Sequence, residues 1–200
     1  MTRLHANENK DHLNMKIIKR IFLTILILTS FGLLLRGWLY RNLVTYKSVG
    51  LRTHYLATDE KLTGYIDSII DKQADPDIEQ LIKLGLSITS RRLNFTANNN
   101  DIDPNKLIYS KSAHCVGYAA FFATTCNYIF QKYNLPDSWI AKPQIGQLYF
   151  LGTNIHKYFK SSFFKDHDFV TIENRITGEI YAVDPVINDY LFIYFITYTN

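Results

Sequence analysis

Apolar residues run unbroken near the start of the chain, recur at helical spacing through its middle and cluster in short β-rich runs near its end. Residues 21–35, IFLTILILTSFGLLL, carry no charge, and with RGWLY the run reaches residue 40. That matches the ~20 residues needed to cross a ~30 Å hydrocarbon core, with Arg36 snorkelling toward the headgroups. Trp38 and Tyr40 stand where interfacial aromatics belong. A buried core helix would show a polar face, and this run shows none. LLLRGWLYRN offers no small-residue cleavage site, as a removable signal would. The expected organisation is a basic tail over 1–20, an uncleaved transmembrane anchor over 21–40, a juxtamembrane connector over 41–58 and a folded domain over 59–200.

Within that domain, KLTGYIDSIIDKQ (61–73) and PDIEQLIKLGLSITSRRLNF (76–95) read as helices. In the second, Ile78, Leu81, Ile82, Leu86 and Ile88 follow helical spacing. Asp75 and Pro76, with Asp77 and Glu79 in the first turn, make its start. TANNNDIDPNK (96–106) is a polar loop. Its Asp101, Asp103 and Asn105 alternate like part of a calcium loop, without the Gly and closing acidic residue such a loop needs. A third helix runs from Ser112 to about Tyr133, where Asn134 supplies a left-handed cap and Pro136 prevents continuation. Cys115, Ala119, Phe122, Cys126 and Phe130 form one apolar stripe, so this helix is expected to cross the core. QLYFL (147–151) reads as a strand, and IHKYFKSSFF (155–164) as a short helix or a flap. HDFVTIEN (167–174) and EIYAVDP (179–185), joined by RITG, read as a hairpin, and YLFIYFITY (190–198) as a third, buried strand. Helices followed by strands indicate the α+β class, a central helix packed on an antiparallel sheet.

Charge sharpens the membrane reading. Residues 1–54 carry a net +7 and residues 55–200 a net −3. The basic arm suits anionic lipid, and no nucleic-acid-binding signature accompanies it. Lys16, Lys19 and Arg20 precede the apolar run, and Arg36 and Arg41 follow it. That bias places the N-terminus in the cytoplasm and the domain on the outer side.

The chemistry centres on SAHCVGYAAFF (112–122). With Ser112 as expected N-cap, Cys115 lies in the first turn of the core helix. Unpaired N–H groups and the helix dipole there favour a thiolate, and the same N–H groups suit an oxyanion. Gly117, Ala119 and Ala120 are expected to allow close approach by the sheet or a substrate. The chain has two cysteines, Cys115 and Cys126. On one helix they stand ~16 Å apart along the axis, beyond the ~7 Å reach of a disulfide. Both are expected to be free thiols, with Cys126 filling the core. No C-x-x-C spacing is present, and no metal or cofactor is expected.

A thiolate nucleophile needs a base. His5 and His12 precede the apolar run, His54 follows it, and His114 adjoins Cys115 but points ~100° away. His156 and His167 remain. If RITG is a four-residue loop, Asn174 pairs with Glu179 and Phe169 lies opposite Asp184. His167 and Asp184 are then diagonal neighbours on one face, whereas a loop one residue longer or shorter would turn Asp184 to the other face. Cys115, His167 and Asp184 form the candidate catalytic triad of nucleophile, base and orienting carboxylate.

These stretches resemble the transglutaminase-like branch of the papain-like cysteine enzymes: Cys at the start of the central helix, a helix end like YNLPDSW, a His opening HDFVTIEN and an Asp-Pro closing EIYAVDP. The resemblance covers about residues 76–189. It departs at Phe169, where a Trp is frequent, and at Asn134-Leu135-Pro136 in place of Gly-Ile-Pro. It implies a papain-like core with Cys115 as nucleophile, His167 as base and Asp184 as its partner. The implied partner is a peptide or protein substrate, and the implied reaction is amide hydrolysis, Gln–amine exchange or thioester acyl transfer. The same residue order is similar to that of arylamine N-acetyltransferases and some bacteriocin-processing peptidases. Tyr109, Ser110 and His114 are the nearby candidates for a second oxyanion donor.

Overall fold

The structure, a computed structural model, describes residues 2–70, 75–98 and 100–199. It divides into two compact units, Met1–Leu39 and Tyr40–Asn200. The first is helical, the main part of α1 (Thr2–Leu43). Within α1, Met15–Leu43 contains an unburied window of mean hydropathy 2.0 and is long and apolar enough to cross a membrane. The expected anchor, 21–40, falls inside it.

The second unit continues with β1 (Val44–Leu51), α2 (Glu60–Asp67), α3 (Ile78–Arg92), β2 (Asn94–Phe95), α4 (Pro104–Ser110), β3 (Ser112–Ala113) and α5 (Cys115–Lys132). β4 (Trp139–Phe150), β5 (Thr153–Asn154), β6 (His167–Asn174), β7 (Ile180–Val183), α6 (Pro185–Leu191) and β8 (Thr197–Thr199) complete it. Two single 3₁₀ turns, His156–Tyr158 and Ser162–Phe164, lie between β5 and β6.

The class is α+β, with α5 packed on one sheet. Tyr118, Phe121, Phe122, Ile129 and Phe130 of α5 are fully buried, each worth roughly 1.5–3 kcal/mol when taken from water. α3 supplies the facing layer through Leu81, Ile82, Leu86 and Ile88. Its start is a capping box: the Asp77 side chain accepts from the Gln80 N–H, and the Gln80 side chain accepts from the Asp77 N–H. α5 ends as its sequence suggests, with Asn134 at φ 57° and the Leu135 N–H returning to the Phe130 carbonyl at 2.8 Å.

The sheet order is β7-β6-β4-β1-β8, with β5 paired to β4. It is mixed where an antiparallel sheet was expected, because β8 joins β1 in parallel. The Ile196 N–H bonds the Ala182 carbonyl at 3.0 Å, which links the two ends of the strand order and nearly closes the sheet. The hairpin has the expected register. Asn174 N–H bonds the Glu179 carbonyl, and Val170 stands opposite Val183.

Several expectations change. The connector over 41–58 contains β1, a central strand whose Tyr46 is fully buried. YLFIYFITY is not one strand: Asp184 caps α6 with Pro185 at its first position, α6 takes residues to Leu191, and only Thr197–Thr199 pairs as strand. QLYFL is the end of the much longer β4. The helix expected over 61–73 ends at Asp67, and residues 71–74 lie outside the described residues. The polar loop closes at Asp103, which caps the short α4.

Candidate active site

Ser112 does not cap α5. It lies in β3, paired with Asn94, and its carbonyl and hydroxyl both accept from Asn100 Nδ2. The cap position falls to His114, whose side chain makes no capping bond. Cys115 is therefore the first helical residue, and the His114 side chain leaves the N–H groups of that turn uncapped. Gly117 serves packing rather than substrate approach: a Cβ there would stand 2.8 Å from the Ala113 Cβ and 3.2 Å from Leu107.

His167 opens β6 opposite Gly146 of β4. The strands approach closely there, since a Cβ on Gly146 would lie 2.6 Å from the His167 carbonyl oxygen. The next residue, Asp168, is fully buried and takes a forked pair of bonds from Arg52, at 2.7 and 2.9 Å. That fork ties the start of β6 to the chain just beyond β1.

Asp184 is also fully buried. Its Oδ1 accepts from the Val186 and Ile187 N–H groups at 3.0 and 3.1 Å. Its Oδ2 stands 2.6 Å from His167 Nε2 and accepts from the Tyr46 hydroxyl at 2.7 Å. Four donors thus meet the lone-pair directions of one carboxylate. The Tyr40 hydroxyl lies 2.5 Å from that of Tyr46. Because a carboxylate accepts, Tyr46 donates to Asp184, and Tyr40 donates to Tyr46. Burial, then the Asp184 charge, pushes the Tyr46 phenol well above its usual pKa, so the hydroxyl keeps its proton.

Burial opposes a charged His167, but the Asp184 charge and hydrogen bond outweigh it, and the Cys115 sulfur adds to them. The imidazole is held well above its usual pKa. With Nε2 on Asp184, Nδ1 is the ring nitrogen left for the thiol. Cys115 and His167 line one cavity of 400 Å³, walled mainly by Phe95, Leu148, Ile155, Phe159, Phe163 and Phe164. A second cavity, of 210 Å³, also reaches Cys115, shares Asp166 and Phe163 with the first, and is lined by Asn98 and His114 among others. Cys115 keeps 7% of its surface exposed, and Cys126 keeps none. Burial pushes the Cys126 thiol far above its usual pKa. Both thiols are free.

The three residues singled out from sequence thus meet at one place. The oxyanion candidates separate. The Tyr109 hydroxyl bonds Asp59 at 3.0 Å, and the Ser110 hydroxyl bonds the Ser112 carbonyl. His114 alone lines a cavity with Cys115, and burial holds its imidazole below its usual pKa. Tyr46 and Asn98 join the surroundings without a signal in the sequence that marked them. Among the described residues, no group of three or more His, Cys, Asp or Glu side chains is placed to hold a metal ion. No family model, no curated protein and no solved structure matches the chain.

Proposed function

We propose that this chain is a membrane-anchored cysteine enzyme of transglutaminase-like type, acting on a peptide or amide substrate through Cys115, His167 and Asp184. The observation that carries the reading is the placement of His167: its Nε2 lies on the buried Asp184 carboxylate, and the residue lines one cavity with Cys115. Asp184 orients the imidazole and favours its protonated form. In the proposed reaction the thiolate adds to a carbonyl carbon, and the new oxyanion rests against the Cys115 N–H. The adduct collapses, the C–N bond breaks and the His167 imidazolium gives its proton to the leaving nitrogen. Water or a second amine then adds to the thioester while His167 takes up its proton. The acid or new amide departs, and the thiolate–imidazolium pair is restored. The charge bias around the anchor supports a cytoplasmic N-terminus with the domain on the outer side.

Intact-mass analysis of the full-length chain in detergent, after exposure to an activated acyl ester, tests this. One acyl group is expected on Cys115, absent from Cys115→Ala and much slower to form in His167→Ala. Acylation that survives Cys115→Ala, or none at all, contradicts the proposal.

A second reading is a non-catalytic binding module tethered to the membrane. The apolar cavity favours it, since such a pocket holds a side chain without any turnover. Under that reading Cys115→Ser leaves ligand affinity unchanged and no acyl adduct forms.

A further inference from the structure

The last residue of α1 is bonded to a tight turn of the domain. The Leu151 N–H donates to the Leu43 carbonyl at 2.9 Å, and Val44 pairs with Phe150. Phe150 also pairs with Thr153, so Leu151 and Gly152 are the two central residues of the β4–β5 hairpin. Both lie at positive φ, 46° and 78°. A two-residue turn of that kind strongly favours Asn, Asp or Gly at its first position. A leucine there bears the steric cost of the left-handed region. Its side chain is 67% exposed, so packing within the domain offsets little of that cost, and Phe150 beside it is exposed too. A strained and exposed apolar residue points to a contact outside the domain. Its neighbour names the partner: Leu43 ends the stretch, Met15–Leu43, that is long and apolar enough to cross a membrane. Wherever that stretch leaves the hydrocarbon, the tip is bonded to its last residue.

The residues that follow have the composition of an interfacial segment. From Phe150 to Lys165 there are three lysines, Lys157, Lys160 and Lys165, and no carboxylate. Tyr158, Phe159 and Phe164 are exposed among them, and the rings of Phe159 and Phe164 lie 5.1 Å apart between centroids. The next carboxylate, Asp166, is paired with Arg52 at 3.4 Å. Aromatic side chains interleaved with lysines suit the headgroup region of a bilayer. We infer that the β4–β5 tip and the segment running on to Lys165 form a second membrane contact. Phe150 and Leu151 enter the headgroup region of an anionic leaflet, and the three lysines meet its phosphates. Phe159 and Phe164 also wall the cavity beside Cys115, so the lipid contact bears on one wall of that cavity. The contact needs the membrane span but no turnover.

The test uses the unmodified full-length chain in vesicles of phosphatidylcholine and phosphatidylglycerol in equal parts, with a trace of phosphatidylcholine carrying a diazirine near its headgroup. After illumination, lipid adducts are mapped by peptide mass spectrometry. Adducts are expected on α1 and within 150–165. They are not expected at Ile176, an equally exposed apolar residue at the opposite end of the sheet, where β4 begins at Trp139 beside Asn174. Vesicles of phosphatidylcholine alone are expected to lower the yield on 157–165 by about fivefold or more, the factor that one lysine near an anionic surface is worth. Leu151→Asn keeps the turn and removes the apolar side chain, and is expected to cut the adducts at the tip several-fold. Adducts confined to α1, equal labelling at Ile176, or a yield that ignores both the lipid charge and Leu151→Asn overturns the contact. Chain-to-chain cross-links in place of lipid adducts at 150–165 overturn it as well, since a second copy then covers the face. Adducts missing from α1 too overturn the membrane span together with the contact.

Discussion

The Tyr46 hydroxyl donates to Oδ2 of Asp184 at 2.7 Å, and both residues are fully buried. That oxygen is also the one bonded to His167. The strand leaving the apolar helix therefore reaches the carboxylate bonded to His167. Tyr46→Phe removes one donor and keeps the ring. A stability loss of about 1–3 kcal/mol is expected, with activity about tenfold lower from a loosened Asp184. Relieved of one donor, the Asp184 charge holds the imidazolium more tightly, so the pH profile of activity moves upward. An unchanged profile would show that Tyr46 does no more than fill space.

The raised His167 pKa makes a claim about stability. Its pairing with Asp184 contributes fully below the unfolded value of ~6.5, and the contribution is lost as pH rises through the higher folded value. Thermal stability of the full-length chain is expected to fall across that window. The His167→Gln chain, lacking the titrating group, loses that part of the decline. Parallel curves for the two proteins would rule the linkage out.

Gly146 lies opposite His167, and any Cβ there meets the His167 carbonyl and the Phe169 ring at 2.6 Å. Backbone cannot yield as a flexible side chain does, so Gly146→Ala is expected to shift the start of β6 and lower acylation of Cys115 at least tenfold, the usual sensitivity to misplaced reacting groups. Acylation at the parent rate would mean the strands separate without disturbing the site.

The core offers a separate check. A Cβ on Gly85 would stand 2.6 Å from Cys126 Sγ and 3.2 Å from Phe122. Gly85→Ala is expected to destabilise by about 1–3 kcal/mol through overpacking. Cys126→Ala removes the sulfur, so the double variant should recover part of that loss. Strictly additive effects in a denaturation cycle would sink the contact.

The proximity of Cys115, His167 and Asp184 was legible in the sequence because it depends on local rules. A helix start positions the thiol, and the even RITG loop puts His167 and Asp184 on one face. Tyr46 was hidden because its strand follows the apolar run directly and pairs with partners about 100 and 150 residues away. Such non-local pairing leaves no trace in a short window, and the parallel β1–β8 contact was missed for the same reason. At Ser112, cap preference lost to the β2–β3 pairing and to Asn100. At 184–185, Asp-Pro suits a strand end, but a capping Asp before Pro also opens a helix, and here it does. Asn98, which lines a cavity with Cys115, lies in a stretch whose polarity marks only a loop.

The most direct measurement is the pH dependence of Cys115 alkylation in the full-length chain, with Cys126 as internal control and His167→Ala as comparison. The account predicts rapid alkylation of Cys115 over the range in which His167 stays protonated, with that advantage lost in His167→Ala and Cys126 unreactive throughout. Alkylation of Cys115 that follows an ordinary thiol, or that ignores His167→Ala, would contradict the thiolate–imidazole pair and leave the binding module as the better account.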